Sequence, residues 1–189
     1  MIRTILVHPR LAEHLAQLVC DASPWGMGAV LLVDGVRTAW MASEWTDYDY
    51  EVLDTVAGPE GQDLFEALAL LVAMRTWVPM WSEIPTTIVV QSDSLAALGS
   101  AAKLGSSIPH MNLIVRELAL EFAEGTFEVE LYGHVPGHLN VEADALSRLT
   151  DPNQAKVVPE SLATVPRTPV AQRTAAWWRT RSAPTASSA

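Results

Sequence analysis

Four acidic residues stand where an apolar segment ends or begins, and their side chains have the chemistry of a metal site. Asp21 and Asp93 each directly follow a short, strand-like apolar run, Glu66 lies in the first turns of an apolar helix, and Asp144 precedes Ala and Leu near the end of the last predicted helix. A carboxylate at the end of a core strand is costly unless a cation compensates its charge. Two divalent cations are one such compensation, and a two-metal site can break phosphodiester bonds.

The elements that must position these acids alternate in type. Strands are predicted at residues 18–20, 29–33, 36–42, 87–92 and 127–131, and helices at residues 63–77, 95–104, 111–124 and 140–149. The pair Asp34-Gly35 predicts a type I′ turn between the second and third strands, and Asn140 is suited to cap the last helix. The predicted order along the chain is β-β-β-α-β-α-α-β-α. This order predicts an α/β layered fold with a mixed sheet.

Length and composition are those of one intracellular domain, either cytoplasmic or nuclear. The 189 residues are enough for one hydrophobic core. We find no apolar run of membrane-spanning length and no signal peptide, so no membrane partner is expected. The single cysteine, Cys20, lies in a predicted strand, excludes an intrachain disulfide and fits a reducing compartment.

Charge is distributed unevenly along the chain. Residues 1–149 carry twenty Asp and Glu against seven Lys and Arg, a net charge of −13, whereas residues 150–189 carry a net charge of +3. An acidic body argues against nucleic acid as a partner, because contacts with phosphate dominate that affinity. This conflicts with the phosphodiester chemistry that the four acids suggest.

Three regions are predicted along the chain. Residues 1–14 are interpreted as a connector and residues 15–149 as the folded domain. Residues 150–189 are rich in Pro, Ser, Thr and Ala, are basic, and are expected to be largely disordered. Within them, Trp177-Trp178 is either a docking or base-stacking element or an accident of linker composition.

Other acids and tryptophans receive simpler interpretations. Four tryptophans are expected in the core or at an interdomain surface: Trp40, Trp45, Trp77 and Trp81. Eight acids are expected to be solvated: Glu60, Asp63, Glu117, Glu121, Glu124, Glu128, Glu130 and Glu142.

Four segments carry a family resemblance. They are residues 21–31, 62–70, 92–99 and 134–148, the last of which ends in Ala-Asp-Ala-Leu-Ser-Arg after a His-x-Pro-Gly turn and is the most specific. Together they resemble the ribonuclease H family, and most of all the ribonuclease H domain that follows reverse transcriptase in gypsy-type retroelements. The resemblance covers residues 18–149 and implies a five-stranded mixed sheet, with three antiparallel strands followed by parallel ones, flanked by helices.

The resemblance also implies roles for individual residues. It implies two Mg²⁺ ions, for which Mn²⁺ can substitute, with Asp21 bridging both ions and the complete ligand set being Asp21, Glu66, Asp93 and Asp144. His134 matches the family's flexible histidine, which assists proton transfer or product release. Ser94 and Asn140 are candidate substrate contacts, although both positions also suit helix caps.

The implied activity is hydrolysis of the RNA strand of RNA–DNA hybrids, with a reverse transcriptase polymerase domain expected upstream.

Two departures from the family's pattern predict weak hybrid binding by the isolated domain. Leu95 stands where the family often has Asn or Gln, and residues 103–110 form a short loop with one lysine in place of a basic insertion. The polymerase domain or the basic tail is expected to supply the missing affinity.

Two alternatives remain open. The first is a non-catalytic ribonuclease H-like connection or interaction module, against which the intact set of four acids argues. The second is another two-metal nuclease or an integrase on the same fold. Integrase cores usually place Glu on the last helix, whereas this chain has Asp144.

Overall fold

The computed structural model describes residues 14–56, 58, 61–81 and 85–180. The strands are β1 His14–Ser23, β2 Gly26–Val33, β3 Val36–Glu44, β4 Thr86–Ser92 and β5 Phe127–His134. The helices are α1 Asp47–Leu53, α2 Gln62–Trp81, α3 Leu95–Lys103, α4 Pro109–Glu124 and α5 Val141–Ser147. Of the predicted connector, residues 1–13 lie outside the described residues, and His14 begins β1.

The five strands form one mixed sheet in the order β3-β2-β1-β4-β5. The three strands β1, β2 and β3 pair antiparallel, whereas β4 pairs parallel with both β1 and β5. Asp34 and Gly35 have φ of 51° and 80°, as a type I′ turn between β2 and β3 requires. The predicted fold class is therefore confirmed.

The two faces of the sheet carry different helices. Alternate residues of β1, Ala16, Leu18 and Cys20, belong to the main core with α2 and α4. On the opposite face, Val30 and Leu146 belong to a smaller apolar cluster that joins the sheet to α5. The acid-bearing strand β1 therefore lies between α2 and α5.

Helix α2 is long and apolar enough to span a membrane by length and composition alone, with a mean hydropathy of 1.3, and 67% of this apolar window is buried inside the fold. The sequence expectation that no such run exists is therefore wrong. Its burial is that of a core helix that packs against β1 and α4.

Three local predictions differ from the structure. Helix α1 was not predicted, although Thr46 and Asp49 form a capping box at its start. Glu117 and Glu121 are buried instead of solvated, because Arg75 pairs with both at 2.6 and 2.7 Å. The side chain of Asn140 makes no cap hydrogen bond to α5.

The largest correction concerns the tail. We name residues 150–180 the C-terminal segment, and it is packed on the domain instead of being disordered. Its backbone bridges the edge strand β3, since Trp40 N donates to Pro166 O at 3.1 Å and Thr168 N donates to Trp40 O at 2.8 Å. Arg173 then pairs with Asp49 inside the protein.

The end of this segment reaches the main core. Trp178 is fully buried there, and Trp177 packs over the guanidinium of Arg75 with 4.3 Å from that group to the ring centre. The docking interpretation of this tryptophan pair is therefore supported by intramolecular contacts. The segment has little apolar periodicity, so its order comes from isolated anchors that sequence patterns do not reveal.

Candidate active site

Three of the four predicted acids lie together. Asp21, Glu66 and Asp93 each offer a carboxylate oxygen, and these atoms all lie within 4.8 Å of one another. We name these three residues the acid cluster. Asp21 and Glu66 are 4% and 3% exposed, whereas Asp93 is partly exposed. The cluster therefore has a buried base and an open side.

Parallel pairing brings two of these acids together. Strands β1 and β4 run side by side in register, with Val19 opposite Gln91. The carboxyl ends of neighbouring parallel strands meet at one edge of a sheet. Asp21 near the end of β1 and Asp93 just after β4 consequently reach the same place.

Glu66 is held in place from the first turns of α2. Its Oε1 accepts hydrogen bonds from the Ala22 backbone at 3.2 Å and from Gln62 Nε2 at 2.8 Å. Gln62 also donates to Ala22 O at 2.7 Å, so one amide ties α2 to the end of β1. Ser92 Oγ donates to the other oxygen of Glu66 at 3.4 Å.

Asp21 is held from the opposite side by α5. Ser147 Oγ donates to its Oδ2 at 2.7 Å, and Asn140 Nδ2 donates to its Oδ1 at 3.3 Å and to Cys20 O at 3.0 Å. Gly28 permits this approach, because a Cβ there would lie 2.5 Å from the Ala143 carbonyl oxygen. A side chain on β2 at this point would push α5 away from the site.

Burial and mutual repulsion favour protonation of the cluster. The pKa of Asp21 is raised to about 7, chiefly by burial and also by repulsion from Asp144 and Asp93, while the hydrogen bond from Ser147 opposes the rise. The pKa of Glu66 is raised to about 9, again chiefly by burial, with repulsion from Asp21 and Asp93. In the absence of a cation, Glu66 therefore holds a proton at neutral pH, and Asp21 does so in part.

Asp144 lies outside the acid cluster and pairs with Arg148, the residue that follows α5. Arg148 Nε lies 2.7 Å from Asp144 Oδ1, one helical turn along the chain, and both side chains are more than one-third exposed. Asp144 still lies near enough to Asp21 to raise its pKa. The structure therefore brings together three acids and leaves the fourth beside them in an ion pair.

The remaining predicted residues surround the cluster. His134 ends β5 opposite Ser92 and is exposed. The turn that follows β5 reaches the cluster, since a Cβ on Gly137 would lie 3.2 Å from Asp93 Oδ2. Ser94 Oγ accepts from Ala97 N at 3.1 Å, so Ser94 caps α3.

Asn140 is 2% exposed, and its side-chain amide donates hydrogen bonds to Cys20 and Asp21 of β1. This geometry favours a positioning role for Asn140 over contact with a substrate. Sequence reasoning missed the similar roles of Gln62, Ser147 and Arg148. All three lie inside the quoted segments, but their partners are set by packing.

Comparisons with known structures agree with this fold. Ribonuclease H1 from the archaeon Halobacterium salinarum superposes with a TM-score of 0.52 at 17% identity, over 70% of this chain and 92% of that one. The N-terminal ribonuclease H domain of a Mycobacterium tuberculosis protein superposes with a TM-score of 0.54 at 16% identity, over 70% of this chain and 89% of that one. LC11 ribonuclease H1, solved in complex with an RNA/DNA hybrid, superposes with a TM-score of 0.54 at 15% identity, over 71% of this chain and 93% of that one.

These similarities define the class of fold. The chain has a ribonuclease H-like fold, and its acid cluster lies at the carboxyl ends of the central parallel strands. No protein-family model matches the chain, and no curated protein matches it at a significant level.

The chemistry of the acid cluster suits a divalent cation. Three carboxylates supply hard oxygen ligands, which Mg²⁺ and Mn²⁺ prefer. Of the described residues, no Lys, Arg or His forms an ion pair with Asp21, Glu66 or Asp93. A bound cation would therefore offset charge that the protein itself leaves uncompensated.

Proposed function

We propose that this protein is a metal-dependent endonuclease that hydrolyses the RNA strand of RNA–DNA hybrids. The observation that carries the proposal is the acid cluster, with Asp21, Glu66 and Asp93 within 4.8 Å of one another on a ribonuclease H-like fold. The fold alone supports many activities. Two buried acids with raised pKa values, Asp21 near the end of β1 and Glu66 on α2, support this place as the site.

The protein's own residues supply the ligands and their orientation. Asp21, Glu66 and Asp93 would hold Mg²⁺, with Asp144 completing a second site, and Mn²⁺ would serve in its place. Bound divalent ions polarise the phosphate and activate water. The hydrogen bonds from Gln62, Asn140 and Ser147 fix the inner carboxylates, so that little reorganisation is needed on binding.

His134 is our candidate for proton movement. It lies exposed at the end of β5, beside the strand that leads to Asp93. A histidine at such a place can act as a general acid or base and pass a proton to solvent during turnover. Ser94 already caps α3, and its backbone position beside Asp93 makes it a candidate neighbour of the substrate strand.

The test is cleavage of a labelled RNA–DNA hybrid by the complete chain, with RNA duplex and DNA duplex as comparison substrates. Mg²⁺ or Mn²⁺ should support cleavage of the hybrid RNA strand, and EDTA should abolish it. Asp93→Asn should eliminate activity while leaving the thermal unfolding curve unchanged, because Asp93 is the most open member of the cluster. Glu128→Gln, an exposed change on β5, is the matched control and should keep full activity.

Two outcomes would overturn the proposal. One is the absence of hybrid cleavage with Mn²⁺ at low salt. The other is an Asp93→Asn variant that cuts as fast as the parent. Activity on all three duplexes at equal rates would instead indicate a different nuclease on this fold.

We further propose that the domain belongs to a retroelement reverse transcriptase, with the polymerase domain preceding it. The support is the Ala-Asp-Ala-Leu-Ser-Arg sequence at residues 143–148 and its resemblance to gypsy-type elements. The check is the genomic reading frame. Polymerase motifs directly upstream of this sequence would support the proposal, and an unrelated upstream gene would contradict it.

A further inference from the structure

A groove lies between the C-terminal segment and the part of the domain that holds Asp21. It has a volume of about 340 Å³ and lies between the end of β3 and the end of α5. Its lining includes Ser147, the residue that donates to Asp21, together with the exposed cations Lys156 and Arg167. One residue, Ser147, thus belongs both to the wall of the groove and to the hydrogen bonds that hold Asp21, and two cations line the same groove.

Arg167 is fixed in position without a carboxylate partner. Its backbone bridges Trp40 of the edge strand, its Nη2 donates to Ala42 O at 3.0 Å, and its guanidinium lies 5.3 Å from the centre of the Trp40 ring. These contacts leave further guanidinium donors toward the groove. An arginine held in this way loses little side-chain entropy when it binds a phosphate.

Most other Lys and Arg side chains of the described residues are already engaged. Within the described ranges, ion pairs occupy Arg37, Arg75, Arg148, Arg173 and Arg179. Over those same residues, the cations outside any ion pair are Lys103, Arg116, Lys156 and Arg167. Of these, Lys156 and Arg167 line the groove that reaches Ser147.

The charge of the domain makes Lys156 and Arg167 important for binding a polyanion. The acidic body of residues 1–149 repels a polyanion, and the groove also contains one carboxylate, Glu44. Two exposed cations in one groove, both contributed by the C-terminal segment, provide local attraction for a phosphate.

We propose that this groove binds a backbone phosphate of the RNA–DNA hybrid, with Arg167 and Lys156 as its phosphate contacts. The inference rests on the proposed function and extends it. The C-terminal segment is then part of the substrate-binding surface as well as part of the fold. This assignment resolves the conflict between an acidic domain and a nucleic-acid substrate.

The test is the salt dependence of hybrid binding by the full chain, measured by fluorescence anisotropy with Ca²⁺ replacing Mg²⁺ to prevent cleavage. Arg167→Gln and Lys156→Gln should each weaken binding roughly three- to tenfold. Between about 50 and 200 mM salt, each change should reduce the slope of log affinity against log salt by about 0.9. The double variant should lose about twice that slope.

Three controls separate charge from folding. Arg116→Gln removes the same charge from the exposed surface of α4, on the opposite face of the sheet, and should leave the slope unchanged. Arg167→Lys keeps the charge and should restore most of the affinity. Thermal unfolding of each variant identifies any loss caused by loosening of the C-terminal segment.

The outcomes distinguish the two proposals. If the parent cleaves the hybrid and the double variant binds with unchanged affinity and slope, the groove inference is overturned and the nuclease proposal stands. If the parent neither binds nor cleaves the hybrid, both proposals are overturned. A lower slope for the groove variants alone, with Arg116→Gln unchanged, supports the assignment.

Discussion

The hydroxyl of Ser147 lies 2.7 Å from Oδ2 of Asp21 and joins the last residue of α5 to a buried carboxylate of the acid cluster. Both side chains are buried. Ser147→Ala should therefore lower the free energy of unfolding by about 1–2 kcal/mol and weaken Mn²⁺ binding in calorimetric titration. Ser161→Ala is the control, because it removes an exposed hydroxyl that donates to Glu142. It should change neither the free energy of unfolding nor the Mn²⁺ affinity. Equal Mn²⁺ affinity for Ser147→Ala and the parent would refute the positioning role.

Gly28 sets the distance between β2 and α5. Gly28→Ala would bring its Cβ to 2.5 Å from the backbone oxygen of Ala143, which must move. We expect a loss of about 1–3 kcal/mol of stability in chemical denaturation and weaker metal binding, because α5 carries Ser147. Gly99→Ala is the matched control: it lies in α3 with nothing within 4 Å of a new Cβ, so helix propensity should raise stability by up to about 1 kcal/mol.

Under the proposed function, Arg148 would compete with a second metal ion for Asp144. Because the ion pair is partly exposed, Arg148→Gln should raise Mn²⁺ affinity only about two- to fivefold. Arg37→Gln breaks the other ion pair of the same helix, with Glu142, and should have no such effect. In an Asp144→Asn background, Arg148→Gln should leave the Mn²⁺ affinity unchanged. If the affinity still rises there, Arg148 acts through long-range charge repulsion of the metal and not through its pair with Asp144.

Stability without metal should fall as pH rises. The pKa values of Asp21 and Glu66 are raised to about 7 and about 9 in the folded protein, so the folded state binds more protons than the unfolded state. Their contribution is complete below the unfolded pKa values of about 4 and is lost as pH rises through about 9. Denaturation in EDTA from acid to alkaline pH should show this decline.

Two comparisons check the origin of that decline. Saturating Mg²⁺ should flatten the curve, because the cation replaces the protons. Glu66→Gln should remove the part between about pH 7 and 9, whereas the exposed change Glu51→Gln should leave it in place. Metal-free stability that increases over this range would contradict the assignment of raised pKa values.

Arg173 anchors the C-terminal segment through a buried ion pair with Asp49, at 2.8 Å. Arg173→Ala leaves that carboxylate buried and unpaired, so we expect a loss of about 3–5 kcal/mol and faster proteolysis within residues 150–180. Arg179→Ala, at a more exposed position, should cost far less. Parent-like stability of Arg173→Ala would mean that the segment is not part of the folding unit.

Local patterns were sufficient for most of the fold. Alternation and apolar runs predicted the five strands, and the turn residues Asp34-Gly35 predicted the hairpin that the structure contains. Helix α1 was missed because seven residues give little helical periodicity. The C-terminal segment was misjudged because its order depends on contacts such as Arg173 with Asp49, separated by 124 residues in sequence.

The acid cluster shows the same division. Residue type and position at strand ends pointed to Asp21 and Asp93, because the carboxyl ends of parallel strands must meet. Glu66 was chosen from its place in the first turns of an apolar helix and from the family resemblance of residues 62–70. The packing of α5 over Gly28 decided the rest. It placed Asp144 in an ion pair with Arg148, and it chose the Ser147 hydroxyl as the group that orients Asp21. Sequence periodicity encodes which residues turn inward, whereas partners across the core are chosen by the packing of distant elements.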